Sequence, residues 1–84
     1  MEIKILGSGC SNCVKLEEMT RRVLSELGVP ATITKVTDIK EIMSYGVMST
    51  PALVIGNEVK VYGMVPPKAR LTEIITTELV KSEE

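Results

Sequence analysis

The sequence predicts an α/β fold with element order βαβαββα, a mixed four-stranded sheet flanked by helices on both faces. Three observations carry this reading. The short apolar runs 3–6 and 31–36 flank a long segment of helical periodicity, the pattern of a right-handed βαβ unit with parallel strands. A Gly56-Asn57 pair separates the runs 52–55 and 59–62, a two-residue hairpin signal that adds two antiparallel strands to the sheet. Finally, 84 residues with 44% apolar content supply one small core and nothing for a second, so residues 1–84 are read as a single domain.

Taken in order, Ile3, Ile5 and Leu6 form a buried strand stopped at Gly7-Ser8-Gly9, read as a flexible turn. From Ser11 onward Leu16, Met19, Val23 and Leu27 recur at helical spacing, and Gly28 with Pro30 ends the helix after about four turns. Ala31 to Val36, with Thr32, Ile33 and Thr34, suits a second strand. Asp38 followed by Glu41 starts a short helix with Ile39, Ile42 and Met43 on one apolar face and Gly46 as its stop. Val47 to Thr50 then leads into Pro51. In the hairpin, Val59 and Val61 are assigned to one face. Beyond Pro66-Pro67 a last helix aligns Leu71, Ile74, Ile75 and Leu79, and the tail from Lys81 to Glu84 is expected to fray. Tyr45 and Tyr62 are read as packing residues.

Composition excludes several classes of function. Ten Lys and Arg against eleven Asp and Glu give a net charge of −1, without the basic patch from which nucleic-acid binding starts. No apolar run approaches the roughly 20 residues that span a bilayer. The N-terminal residues lack a stretch of signal-peptide length, so a cytoplasmic location is expected. There is no histidine, which removes the commonest metal ligand and general base. Two cysteines cannot form a disulfide-dense scaffold, so the core relies on 25 Ile, Val and Leu residues and five Met.

Those two cysteines, Cys10 and Cys13, stand at the start of the first helix and at the carboxyl end of the first strand, where open α/β sheets place their sites. Three residues apart on a helix start, they face one side and can reach disulfide distance. Cys10 points at unpaired backbone N–H groups and the positive end of the helix dipole, which lower a thiol pKa from about 8.5 into a range of roughly 3.5 to 7.5. Cys10 is therefore read as the nucleophile. Cys13, one turn in and shielded, is the resolving thiol. Two other uses stay open: both cysteines as buried apolar filler, or the pair as a soft-metal site. Without a second pair, zinc would need another chain, but two thiolates hold copper(I). The loop from Gly7 to Cys13 resembles that of heavy-metal-associated copper chaperones, although those domains run βαββαβ and carry Met where this chain has Ser8.

The strand, the Gly-Ser-Gly turn, Cys10-Ser11-Asn12-Cys13 and the later Ser49-Thr50-Pro51 before a hairpin together resemble the thioredoxin and glutaredoxin superfamily. The likeness is greatest to its small thioredoxin-like redox-active disulfide proteins. The resemblance spans residues 1 to about 80 and implies a thioredoxin-like fold. It implies a thiol-disulfide oxidoreductase that reduces or exchanges protein disulfides with no bound cofactor and no metal. A protein disulfide substrate and a thioredoxin-reductase-like or other thiol reductant would be its partners, and a monomer is expected. Pro51 would be a cis proline beside the cysteines and the backbone at Thr50 would pair with the bound peptide. Ser11, Asn12, Gly63 and Met64 would border the site. The chain departs from the family pattern at Ser11-Asn12, where thioredoxins have Gly-Pro, and at Gly9, where they have tryptophan. Gly63 to Pro67 stands in place of the double glycine and acid with which glutaredoxins grip glutathione. Lys4 occupies the strand position of a buried acid in thioredoxins, and is read as a solvated strand-edge charge.

Overall fold

A computed structural model, described here for residues 1–7 and 9–82, has the expected order: β1 (Glu2–Leu6), α1 (Ser11–Leu27), β2 (Thr32–Val36), α2 (Ile39–Ser44), β3 (Ala52–Ile55), β4 (Glu58–Tyr62) and α3 (Lys68–Ser82). The sheet order is β2-β1-β3-β4. β1 pairs parallel with β2 in register Ile3 to Ile33, and antiparallel with β3 in register Ile5 to Leu53. The sheet is therefore mixed, and its chain order is not the βαββαβ of the copper chaperones. The expected fraying at Glu83 and Glu84 and the centre of the turn at Ser8 lie outside the described residues.

Strand alternation divides the apolar residues between two layers. Ile3, Ile5, Leu53 and Ile55 point to one face, where Leu16, Val23 and Leu24 of α1 and Leu71, Ile74 and Ile75 of α3 cover them. Leu6, Ala52 and Val54 point to the other, against Val36, Ile42 of α2 and Val47. Removing one fully buried Leu or Ile from the first layer to Ala costs about 2–5 kcal/mol. This double cover fixes both orientation and depth of the central strand that leads to the cysteines.

Local chemistry sets the boundaries. Asp38 caps α2 by accepting the Lys40 N–H at 3.0 Å, since the first helical N–H groups have no partner within the helix. Gly56 and Asn57 turn the hairpin with φ of 57° and 68°, the positive pair that suits strand twist. A β-bulge overturns one expectation: Leu53 faces Val61 but Val54 faces Val59, so Lys60 is the extra residue. Val61 therefore joins the layer under α1 and α3, and Val59 the layer under α2. The bulge also aims Lys60 at Glu78 of α3, with which it forms an ion pair, and at Glu58 at 3.1 Å.

Four further residues differ from expectation. Tyr62 is 64% exposed and is no packing residue, whereas Tyr45 packs against the second layer. Only Ile42 of the α2 apolar face is buried, and Ile39 and Met43 remain exposed because α2 is a single-sided cover only six residues long. Lys4 is no solvated edge charge: β1 is central in the sheet, and the Lys4 side chain is 22% exposed and donates to the Tyr45 hydroxyl at 2.7 Å.

Candidate active site

Cys10 and Cys13 are joined by a disulfide with a Cα–Cα separation of 5.0 Å. Cys10 is the N-cap of α1: its backbone is extended, and its sulfur accepts the Cys13 N–H at 3.2 Å. An N-cap sulfur thus satisfies a donor that the helix leaves unpaired, in the field of the helix dipole. The two sulfurs occupy unequal environments. Cys10 is exposed, while Cys13 is 5% exposed beneath the end of β1.

Gly7 explains how Cys13 can sit so deep. It is buried and ordered, its N–H donating to the Val36 carbonyl at 2.9 Å and prolonging the parallel ladder. A Cβ at Gly7 would overlap the Cys13 sulfur, stand 3.2 Å from the Cys13 Cβ, and lie 3.8 Å from the Thr50 Cβ. The residue read as the start of a flexible turn is instead the floor on which the second cysteine and Thr50 converge. A glycine ending a strand directly before a Cys-x-x-Cys helix was the available signal, and only the packing reveals its reason.

The segment before β3 forms the opposite wall. The Thr50–Pro51 peptide bond is cis, with Thr50 exposed and Pro51 buried. Gly63 donates its N–H to the Pro51 carbonyl at 2.9 Å and has φ 75°, and a Cβ there would come within 3.2 Å of the Ser49 Cβ. Gly63 thereby anchors the Ser49 to Pro51 segment to the end of β4. Ser11 and Asn12 are exposed on the first turn of α1 between the cysteines. Met64, half exposed, lines a separate hollow with Tyr62, Pro66 and Arg70.

A charged pair lies close to this centre. Glu17, one turn beyond Cys13, accepts from Lys35 of β2 at 3.0 Å and from Arg21 at 3.0 Å, its own side chain only 14% exposed. The Lys35 ammonium holds the Glu17 carboxyl below the usual 4.5, with Arg21 adding to the effect and burial opposing it. Across the sheet, the hydrogen bond to Tyr45 raises Lys4 above its usual 10.5. Among the described residues no group of three or more His, Cys, Asp or Glu side chains is placed to hold a metal ion.

A family model for the thioredoxin domain matches residues 1–76. The chain belongs to the thioredoxin family. It is 34% identical over 76 residues to a thioredoxin of Methanothermobacter thermautotrophicus, covering 90% of this chain and 99% of that protein. It is also 34% identical over 71 residues to a thioredoxin of Methanocaldococcus jannaschii, covering 84% of this chain and 81% of that one. Membership and the disulfide-bonded Cys-x-x-Cys pair make this chain a protein thiol-disulfide oxidoreductase. Family members work with protein substrates and a reductase. No helix among the described residues is long and apolar enough to cross a membrane.

Proposed function

We propose that Cys10 is the attacking thiolate and Cys13 the resolving thiol of a cytoplasmic, monomeric disulfide reductase or exchange protein that uses no bound cofactor. One observation carries this division of labour: the sulfur at the helix N-terminus is exposed and its partner is buried. The reduced Cys10 thiolate attacks one sulfur of a protein disulfide, forming a mixed disulfide and releasing the first partner sulfur as a thiolate. The Cys13 sulfur then attacks Cys10, closing the intramolecular disulfide, and the second partner sulfur leaves. Two electrons pass to the partner, and a thioredoxin-reductase-like enzyme or another thiol reductant restores the dithiol. The backbone of exposed Thr50 pairs with the partner's extended chain, Pro51 closes the wall, and Ser11, Asn12 and Gly63 border the opening.

Reduction of insulin disulfides in the presence of dithiothreitol tests the reading. Turnover is expected in the native protein, none in Cys10→Ser, and a trapped mixed disulfide in Cys13→Ser. Native-like turnover by Cys10→Ser overturns the assignment. Equilibration in graded dithiothreitol, followed by mass, is expected to give one two-electron midpoint. Thiols that change state only when copper or zinc is added would instead favour metal handling.

A further inference from the structure

The resolving step poses a problem of proton transfer. Cys13 is 5% exposed and its sulfur lies against Gly7. To attack, it must lose a proton while the partner bound at Cys10 covers the outer side. The described residues offer a route for it. A cavity of about 40 Å³ is lined by Cys13, Glu17, Lys35 and Thr37 together with apolar Ile5 and Val14. That volume admits a water molecule, for which about 10–15 Å³ suffices. Cys13 and Glu17 are four residues apart on α1 and so share a helix face.

We propose that Glu17 is the proton acceptor of the resolving thiol, acting through water in this cavity, with Lys35 as the residue that positions its carboxylate. The proposal rests on the assignment of Cys13 as the resolving thiol. As the Cys13 sulfur bonds to the Cys10 sulfur, the bond from Cys10 to the partner breaks and the partner leaves with its electron pair. The Cys13 proton passes to the Glu17 carboxylate and then to solvent, which the carboxylate still reaches. The charged and titratable groups facing Glu17 are Arg21 and Cys13 from its own helix and Lys35 from β2. The two cations keep the carboxylate ionised, and therefore ready to accept, across the working pH range. They also hold it in place rather than leaving it free in solvent.

The test separates the two sulfur steps with dithiobis(nitrobenzoate) at one equivalent per reduced protein. Attack by Cys10 releases the first thionitrobenzoate, and closure by Cys13 releases the second in a concentration-independent phase. In Glu17→Gln the first phase is expected to keep its native rate and the second to slow about 10²-fold at pH 7, the scale of one general base. The second phase is also expected to gain about tenfold per pH unit between roughly pH 6 and 8, because hydroxide must then remove the proton. Lys35→Met, which frees the carboxyl from its cation, is expected to move the acid limb of the second phase to higher pH. This variant decides the matter if Glu17→Gln fails to fold. A second phase with the native pH slope in Glu17→Gln, slowed or not, overturns the proposal, as does an unmoved acid limb in Lys35→Met. Absence of a second phase in the native protein would instead remove the assignment of Cys13 itself.

Discussion

Replacing Gly7 by Ala isolates the packing beneath the disulfide, because the backbone there is not left-handed and accepts Ala without strain. Only the added methyl matters. It would overlap the Cys13 sulfur and crowd the Cys13 Cβ at 3.2 Å. Neither atom belongs to a flexible side-chain end: Cys13 is held by its disulfide and by the first turn of α1. Overpacking of this kind costs about 1–3 kcal/mol. Stiffening the unfolded chain returns about 0.4–1 kcal/mol. The net loss is about 1–2 kcal/mol, and with a urea slope near 1 kcal/mol per M for so small a domain the midpoint falls by roughly 1–2 M. Urea unfolding of the oxidised protein, followed by far-ultraviolet circular dichroism, measures this. A midpoint equal to or above the native value refutes the argument that Gly7 is kept small for Cys13.

Tyr45→Phe removes the acceptor of the Lys4 hydrogen bond and is expected to lower the melting temperature; an unchanged melting temperature would show that Lys4 finds equal solvation elsewhere. A double-mutant cycle of Lys60→Met and Glu78→Gln is expected to give a coupling of about 1 kcal/mol, since both side chains are mostly covered; zero coupling would show that the bulge is set by packing alone. Stability should form a plateau against pH. Glu17 and Glu58 lie below their usual 4.5, through Lys35 and Lys60 respectively, so their contribution is complete above that value and is lost as pH falls through the lower folded values. Lys4 and Lys60 lie above 10.5, through hydrogen bonds to Tyr45 and Glu78, so theirs is complete below 10.5 and is lost as pH rises through the higher folded values. Urea midpoints across pH check this, and a decline between roughly pH 6 and 9 would contradict it.

Element order, the hairpin turn, the cap at Asp38 and the cysteine pair at a helix start were all legible in the sequence. Each depends on residues within a few positions of one another: apolar spacing of 3.6 or 2, a side-chain oxygen two residues from its N–H, a Gly-Asn pair between strands. The tertiary structure alone decided what meets across the sheet. One extra residue in β4 sends Val59 and Val61 to opposite layers and turns Lys60 toward α3. Lys4 looked solvated until the sheet order put β1 in the centre, with Tyr45 41 positions away as its partner. Likewise Glu17 reads as an ordinary acid on a helix until Lys35 of β2 and the cavity beside Cys13 are seen together. Local propensity is written in near neighbours, whereas register and long-range partners follow from burial satisfied by the whole chain at once, and the surroundings of Cys13 belong to that second kind.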